Sequence, residues 1–134
     1  MFQHHFESCI DACNDCAAAC HRSAAACLKE AGRAERVRCI QLNMDCAQIF
    51  RLAAGYMSKD SELAANLCEL CAAACDMCGE ECARHPTRHC QECAKACRRS
   101  ARECRRMAST LAKAHGPKEI VLPFDRPPLI GRRR

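Results

Sequence analysis

Apolar and small residues recur at steps of three, four and seven along four long stretches of the chain, with short polar connections between them. This spacing places the residues on one stripe of an α-helix, so the pattern predicts four amphipathic helices. The predicted helices span about residues 3–31, 34–57, 61–84 and 86–115.

Local sequence signals mark where these helices begin and end. Gly32 is placed to end the first helix, and Asp60 or Ser61 to cap the third. Pro86 falls near the first turn of the fourth helix, and Gly116-Pro117 ends it. Because each connection is only a few residues long, neighbouring helices should be antiparallel. The predicted fold is all-α: residues 1–116 form an up-down-up-down four-helix bundle, and residues 117–134 form an extended tail rich in proline and arginine.

Cysteine occupies the inward stripe of all four predicted helices. The first and third helices resemble a repeat, because the cysteine spacing of residues 13–20 recurs in residues 68–75. The sequence therefore predicts a core lined by thiols, in positions that normally hold leucine and isoleucine. All sixteen cysteines are candidate metal ligands: Cys9, Cys13, Cys16, Cys20, Cys27, Cys39, Cys46, Cys68, Cys71, Cys75, Cys78, Cys82, Cys90, Cys93, Cys97 and Cys104.

Composition and charge narrow the class of protein. A chain of 134 residues is expected to be one domain, but with no Trp, one Tyr and four Phe its ordinary apolar core is thin. Neither a secretory signal nor a membrane-spanning stretch is visible, so we expect a cytoplasmic protein with reduced thiols. The net charge of +5 is modest and concentrated near the C-terminus, which does not favour nucleic acid or membrane as a partner.

The spacing of the cysteines bears on their chemistry. Residues three or four apart on a helix have Cβ atoms about 5–6 Å apart, whereas a disulfide needs about 3.5–4.5 Å. Disulfides within helices are therefore not expected, and disulfides between helices are opposed by a reducing cytosol. Pairs such as Cys90/Cys93 have the spacing of zinc and iron–sulfur sites, but here they continue into i, i+4 pairs and form one continuous lining.

Charge favours a monovalent metal for this lining. Unpaired thiolates in an apolar core are strongly unfavourable, and one Cu(I) per thiolate cancels their charge. Each Zn(II) centre with four thiolates instead keeps two uncompensated negative charges. We therefore predict storage of multiple Cu(I) ions, up to roughly one per cysteine, with room for Zn(II) at a few positions.

Three other interpretations remain open from the residues alone. The cysteines could simply pack as small apolar side chains. The protein could be a thiol redox enzyme, for which Cys90 and Cys93 at the start of a helix are the best candidates, although the other thiols would then be idle. It could also be a zinc or iron–sulfur structural module that acts in protein interaction. Metal storage without enzymatic activity is the interpretation that gives every thiol a role.

The cysteine motifs resemble those of the four-helix-bundle copper storage proteins. Repeated Cys-x-x-x-Cys and Cys-x-x-Cys motifs carry the resemblance over residues 2–115. It implies Cu(I) held by thiolates inside the bundle, a homotetramer, and a cytosolic subgroup without an export signal. The second predicted helix departs from the pattern, since it holds only Cys39 and Cys46.

Antiparallel topology gives the predicted bundle two different ends. At one end His85 and His89 lie beside Cys82 and Cys90, so we predict a polar mouth where the two histidines pass Cu(I) to the thiols. The alternative is that both are ordinary loop histidines beside Pro86. The other end should be an apolar plug formed by Phe2, Phe6, Tyr56, Met57, Leu63, Met107 and Leu111.

The remaining candidates carry weaker signals. His4, His5, His21 and His115 are expected at the surface, as is the arginine-rich face of the fourth helix. Among Met44, Met77 and Met107, the last best continues a cysteine stripe; core packing is the simpler role for all three. The second helix has more bulky apolar residues than one buried face can hold, which favours contact with a partner subunit. Residues 127–133 are similar to the C-terminal peptides that direct cargo into encapsulin shells, which would place the protein inside a protein compartment.

Overall fold

The computed structural model describes residues 2–115, and this part of the chain forms four helices. They are α1 (Phe2–Leu28), α2 (Val37–Ser58), α3 (Ala64–Ala83) and α4 (Arg88–His115), with one 3-10 turn, Arg33–Arg36, before α2. The prediction of an all-α fold is confirmed. The predicted tail, residues 117–134, and the Gly116-Pro117 stop signal lie outside the described residues.

The connection between α1 and α2 differs from the prediction. Helix α1 ends at Leu28 rather than at residue 31, because Lys29 and Glu30 donate to carbonyls only three residues back. Gly32 has a left-handed backbone (φ 69°) but lies four residues beyond Leu28, so the prediction that it ends the first helix is wrong; it precedes the 3-10 turn instead. The 3-10 turn then delays the start of α2 to Val37. These differences bring Arg36 to one end of the bundle.

The start of α3 also lies later than predicted. Asp60 adopts a left-handed backbone (φ 51°), and the Ser61 hydroxyl accepts a hydrogen bond from the Leu63 amide at 3.1 Å. The Ser61 side chain thus satisfies a backbone amide in the turn that precedes α3, whose first residue is Ala64.

The helices are antiparallel, and each packs against its neighbours in chain order around the core. Cys9 near the start of α1 meets Cys104 on α4, and Cys27 near the end of α1 meets Cys90. Helices α3 and α4 approach closely at Gly79, where an added Cβ would lie 3.4 Å from the Cys97 Cβ. The up-down-up-down arrangement is therefore confirmed.

Thiols and alanines fill the interior. All sixteen cysteines are buried, each with at most 1% of its surface exposed. Alanine occupies neighbouring core positions, while Phe6, Phe50, Met57 and Met107 are the largest fully buried apolar side chains. No described helix is long and apolar enough to cross a membrane. The predicted thiol-lined core is thus the actual core of the bundle.

The end of the bundle away from Cys27 is closed by apolar side chains. Phe6, Met57, Met107 and Leu111 are all buried there, as predicted. Leu63 was wrongly assigned to this plug, because 40% of its surface is exposed on the turn before α3. Tyr56 is only partly buried. The side chain of Phe2 lies outside the described residues.

Two of the three methionine candidates lie at the surface. Met44 is 55% exposed and Met77 is 49% exposed, so their thioethers do not line the core. Met107 is buried among the plug residues. His21 is exposed as expected, whereas the side chains of His4, His5 and His115 lie outside the described residues.

Candidate metal centre

The sulfur atoms of the sixteen core cysteines form a continuous row along the bundle, here called the sulfur ladder. In most of the closest Sγ–Sγ pairs the two cysteines lie on different helices, so one metal ion can bind both helices at once. The interhelical pairs, with Sγ–Sγ distances of 3.5–3.9 Å, are Cys9–Cys104, Cys13–Cys104, Cys13–Cys71, Cys16–Cys97, Cys20–Cys93, Cys27–Cys90 and Cys39–Cys82.

Two further thiols, those of Cys78 and Cys46, contact the ladder or its backbone in other ways. Cys78 lies 3.9 Å from Cys82 on the same helix, one example of the predicted i, i+4 pairs. Cys46 donates to the Ala74 carbonyl at 3.2 Å, and thus meets α3 through the backbone. Every described cysteine is a free thiol.

Four thiols converge at the middle of the bundle. The sulfurs of Cys20, Cys78, Cys93 and Cys97 all lie within 4.8 Å of one another and come from α1, α3 and α4. A second group, Cys9, Cys13 and Cys104, lies nearer the plug. Both groups are completely buried, and contacts through Cys16, Cys75 and Cys71 connect them, so they are parts of one lining rather than isolated centres.

Hydrogen bonding between thiols shifts their pKa values in opposite directions. Hydrogen bonding with Cys104 raises the pKa of Cys9 well above its ordinary value. In contrast, hydrogen bonds from Cys13 and other neighbours lower the pKa of Cys104, and one from Cys16 lowers that of Cys97. A metal that binds the ladder must displace the protons of these thiols, because the thiolate is the form that binds metal.

The end of the bundle opposite the plug, the predicted mouth, holds a mixed group of two thiols and one imidazole. His89 Nε2 lies 3.4 Å from the Cys27 sulfur, which is 3.8 Å from the Cys90 sulfur. His89 is 23% exposed, so it joins the buried ladder to solvent. Burial and the neighbouring Cys90 thiol raise the pKa of Cys27 to about 12, although a hydrogen bond from Arg36 acts in the opposite direction.

His85 lies at the same end but has a different environment. Its Nε2 lies 2.9 Å from Glu81, whose carboxylate also accepts hydrogen bonds from Arg38 at 2.9 Å and Arg84 at 3.1 Å. Burial by itself raises the pKa of Glu81, but these partners outweigh it and leave that pKa below its usual value. Among the described residues, His85 is not in any of the close ligand groups, whereas His89 is.

Two polar residues that the sequence interpretation missed contact the sulfurs of the ladder. Asn43 is completely buried, and its amide oxygen accepts from Cys78 at 3.0 Å and Cys93 at 3.2 Å. Ser100, also completely buried, lies 3.8 Å from the Cys13 sulfur. Both positions follow the cysteine stripe, since each is three or four residues from a cysteine on either side. That spacing was the signal that could have identified them.

A comparison with protein families identifies this arrangement. The family model described as Csp, copper storage protein, matches residues 2–109. The chain belongs to the copper storage protein family. This confirms the resemblance inferred from the cysteine motifs, and it is a family of storage proteins rather than of enzymes.

Solved structures of this family match the fold closely. The Cu(I)-bound copper storage protein BsCsp3 is 44% identical, with a TM-score of 0.75 over 78% of this chain and 98% of that one. Apo-Csp3 from Bacillus subtilis is also 44% identical, with a TM-score of 0.72 over 77% and 98% of the two chains. A cytosolic copper storage protein from Streptomyces lividans, solved with five coppers, is 34% identical, with a TM-score of 0.78 over 81% and 95%. No curated protein sequence matches the chain.

Membership of the copper storage protein family and the geometry of the core thiols indicate the same function. The predicted storage of multiple Cu(I) ions is confirmed by family membership together with the thiol groups inside the bundle. The redox and zinc or iron–sulfur interpretations are not favoured, because the thiols are buried along the whole core instead of forming one exposed pair or isolated centres.

Proposed function

We propose that this protein takes up Cu(I) at the mouth and stores it along the entire sulfur ladder, up to roughly one ion per cysteine. The observation that carries the proposal is the set of interhelical sulfur pairs, which run from Cys27–Cys90 at the mouth to Cys9–Cys104 near the plug. An ion bound by one pair has a second pair within reach, so ions can pass inward without leaving sulfur coordination. All sixteen cysteines and the two histidines form the proposed binding set.

His89 is the proposed first imidazole along this route. Its nitrogen is close to both mouth sulfurs and remains partly exposed, as a group that receives an ion from solvent must be. His85 is also proposed to take part, although Glu81 engages its ring nitrogen. His85 is 14% exposed, so it too lies where an arriving ion can meet it.

We propose that the protein is a homotetramer and works in the cytoplasm. Apolar side chains spaced by seven or eight residues lie exposed along α2 and α3, and burial of such a face in water is favourable. The exposed residues are Val37, Met44 and Leu52 on α2, Leu63 in the turn before α3, and Leu70 and Met77 on α3. Analytical ultracentrifugation should give the tetramer mass, and substitution of Leu70 by Glu should lower it. A monomer at micromolar concentration would contradict this part of the proposal.

A shell protein is the proposed partner of the C-terminal tail, on the basis of its Pro-Pro-Leu-Ile-Gly sequence at residues 127–131. Full-length protein should co-purify with an encapsulin shell, whereas a chain ending at residue 116 should not. Equal recovery of the two forms would remove the tail from the proposal.

Anaerobic titration with Cu(I) against a strong competing chelator tests the storage proposal. The fully reduced protein should bind many ions tightly, with the final number close to its cysteine content. Binding of only one to four ions would indicate a structural or transfer site. Absence of binding would contradict storage altogether.

A further inference from the structure

The guanidinium group of Arg36 lies across the mouth of the sulfur ladder. A single nitrogen, Nη1, is 3.4 Å from the Cys90 sulfur and 3.8 Å from the Cys27 sulfur. The same nitrogen is 3.3 Å from the Thr87 hydroxyl and 3.1 Å from a Glu30 carboxylate oxygen. Arg36 therefore contacts both thiols of the mouth group and two polar residues that flank them.

Arg36 differs from the other ion-paired arginines at this end of the bundle. Its side chain is only 15% exposed, whereas those of Arg38, Arg84 and Arg88 are 56%, 73% and 91% exposed. An arginine held at this depth has lost most of its hydration, and its hydrogen bonds replace that water. The contacts of Arg36 are thus part of the mouth itself and not of its solvated rim.

The backbone around Arg36 connects two separate parts of the bundle end. Arg36 is the last residue of the 3-10 turn between α1 and α2, while Thr87 immediately precedes α4. The hydrogen bond between them therefore joins the two interhelical connections that border the mouth. Neither residue lies in an α-helix, so this hydrogen bond can break without disturbing one.

Copper passage and these contacts exclude each other. Arg36 Nη1 lies against both mouth sulfurs and is more exposed than either, so it occupies the position through which an ion from solvent would reach Cys27 and Cys90. A cation near the guanidinium is also repelled by it, and this repulsion is strong because both charges are partly buried. The side chain has to swing away before an ion can move between solvent and ladder.

We propose that Arg36 is a latch that limits the rate at which Cu(I) crosses the mouth in either direction, an inference that rests on the proposed storage function. It acts on rate and not on capacity, because Arg36 supplies no thiolate. The latch keeps stored ions from exchange with solvent and is held closed by Thr87 and Glu30.

Kinetics on the full-length protein test this proposal. Anaerobic titration first gives the number of Cu(I) ions bound by wild type, Arg36→Met, Thr87→Val and Arg88→Met. Stopped-flow mixing then measures Cu(I) transfer from a weak chelator to each protein, and its extraction from each loaded protein by a strong chelator. Arg88→Met is the matched control, since it removes an exposed arginine at the same end that pairs with Glu92.

The latch predicts that Arg36→Met raises both rates several-fold with an unchanged number of bound ions. Thr87→Val should raise them in the same direction, and Arg88→Met should leave them at wild-type values. Unchanged or slower transfer in Arg36→Met with wild-type capacity would overturn the latch while leaving storage intact. Low capacity in wild type would instead overturn storage. Should Arg36→Met lose its helical circular dichroism, the rates of Thr87→Val decide by the same criterion.

Discussion

The amide oxygen of Asn43 lies 3.0 Å from the Cys78 sulfur in the middle of the thiol core. It also accepts from Cys93 at 3.2 Å, while the amide nitrogen donates to Cys39 at 3.7 Å. One side chain from α2 is thus hydrogen-bonded to α3 and α4. Because α2 supplies only two cysteines, this amide provides part of the contact with its partner helices that thiols provide elsewhere.

Replacing Asn43 by Ala should destabilise the metal-free protein. The thiols of Cys78 and Cys93 would lose their buried acceptor, and a cavity would remain, so the expected loss in the free energy of unfolding is about 1–3 kcal/mol. Denaturant unfolding under anaerobic, reducing conditions measures it. The exposed Gln41→Ala on the same helix is the control, with an expected change within about 0.5 kcal/mol. Equal stability of the two variants would show that the amide contacts contribute little.

Removal of a central thiol should reduce the copper capacity without unfolding the bundle. Cys97→Ala affects a residue that lies within 4.8 Å of three other sulfurs, so we expect the number of bound Cu(I) ions to fall by about one. The same titration should leave the number unchanged for Met44→Ala, because that sulfur is at the surface. A wild-type number for Cys97→Ala would mean that the ladder tolerates the loss of a ligand.

The two mouth histidines should differ in their effect on uptake. His89 lies 3.4 Å from the Cys27 sulfur, whereas the His85 ring nitrogen is engaged by Glu81. We therefore expect His89→Ala to slow Cu(I) loading several-fold and His85→Ala to slow it less. Stopped-flow loading from a weak chelator gives both rates. If the two variants load as fast as wild type, neither imidazole takes part in uptake.

Glu81→Gln should lower stability at neutral pH by about 1–3 kcal/mol, since it removes a buried charge that three partners share. The pKa of Glu81 is held below its usual value of 4.5, so its stabilisation is present above that pH and is lost as the pH falls below it. The stability difference between wild type and Glu81→Gln should accordingly shrink on acidification. Thermal unfolding at neutral pH and below pH 4 measures this difference.

The exposed pair of Glu92 and Arg88 supplies the control for that experiment. Glu92→Gln should change the free energy of unfolding by less than about 0.5 kcal/mol at either pH, since exposed ion pairs contribute little. A difference between wild type and Glu81→Gln that stays constant with pH would contradict the assigned role of the Glu81 carboxylate.

The helical periodicity of the sequence was sufficient to predict the bundle and its lining. Cysteines such as Cys13 and Cys16 recur at the steps that define one helix face, so their burial follows from spacing alone. The same rule includes Asn43 and Ser100, which occupy stripe positions but were overlooked because they are not thiols. The helical spacing of the sequence therefore marks more core positions than the cysteines alone.

The features that could not be predicted depend on the paths of the connections and on contacts across helices. Arg36 approaches the mouth because α1 ends early and a 3-10 turn precedes α2, and neither event has a unique sequence signal. Leu63 is exposed because the turn before α3 carries it outward. The i, i+4 spacing of Glu81 and His85 allows a side-chain pair, but His85 also continues the stripe of Cys82, so spacing alone did not decide between the two partners.

With uptake at the mouth, as proposed, the apolar closure around Phe6, Met57 and Met107 gives the column of sulfurs a single entrance. Ions that arrive early can be pushed toward Cys9 and Cys104, and later arrivals occupy the sulfurs near Cys27. Such a column empties in the reverse of the order in which it fills. Sequential loading with two copper isotopes should therefore return the second isotope first, so that the protein yields its most recently acquired copper while the older reserve stays in place.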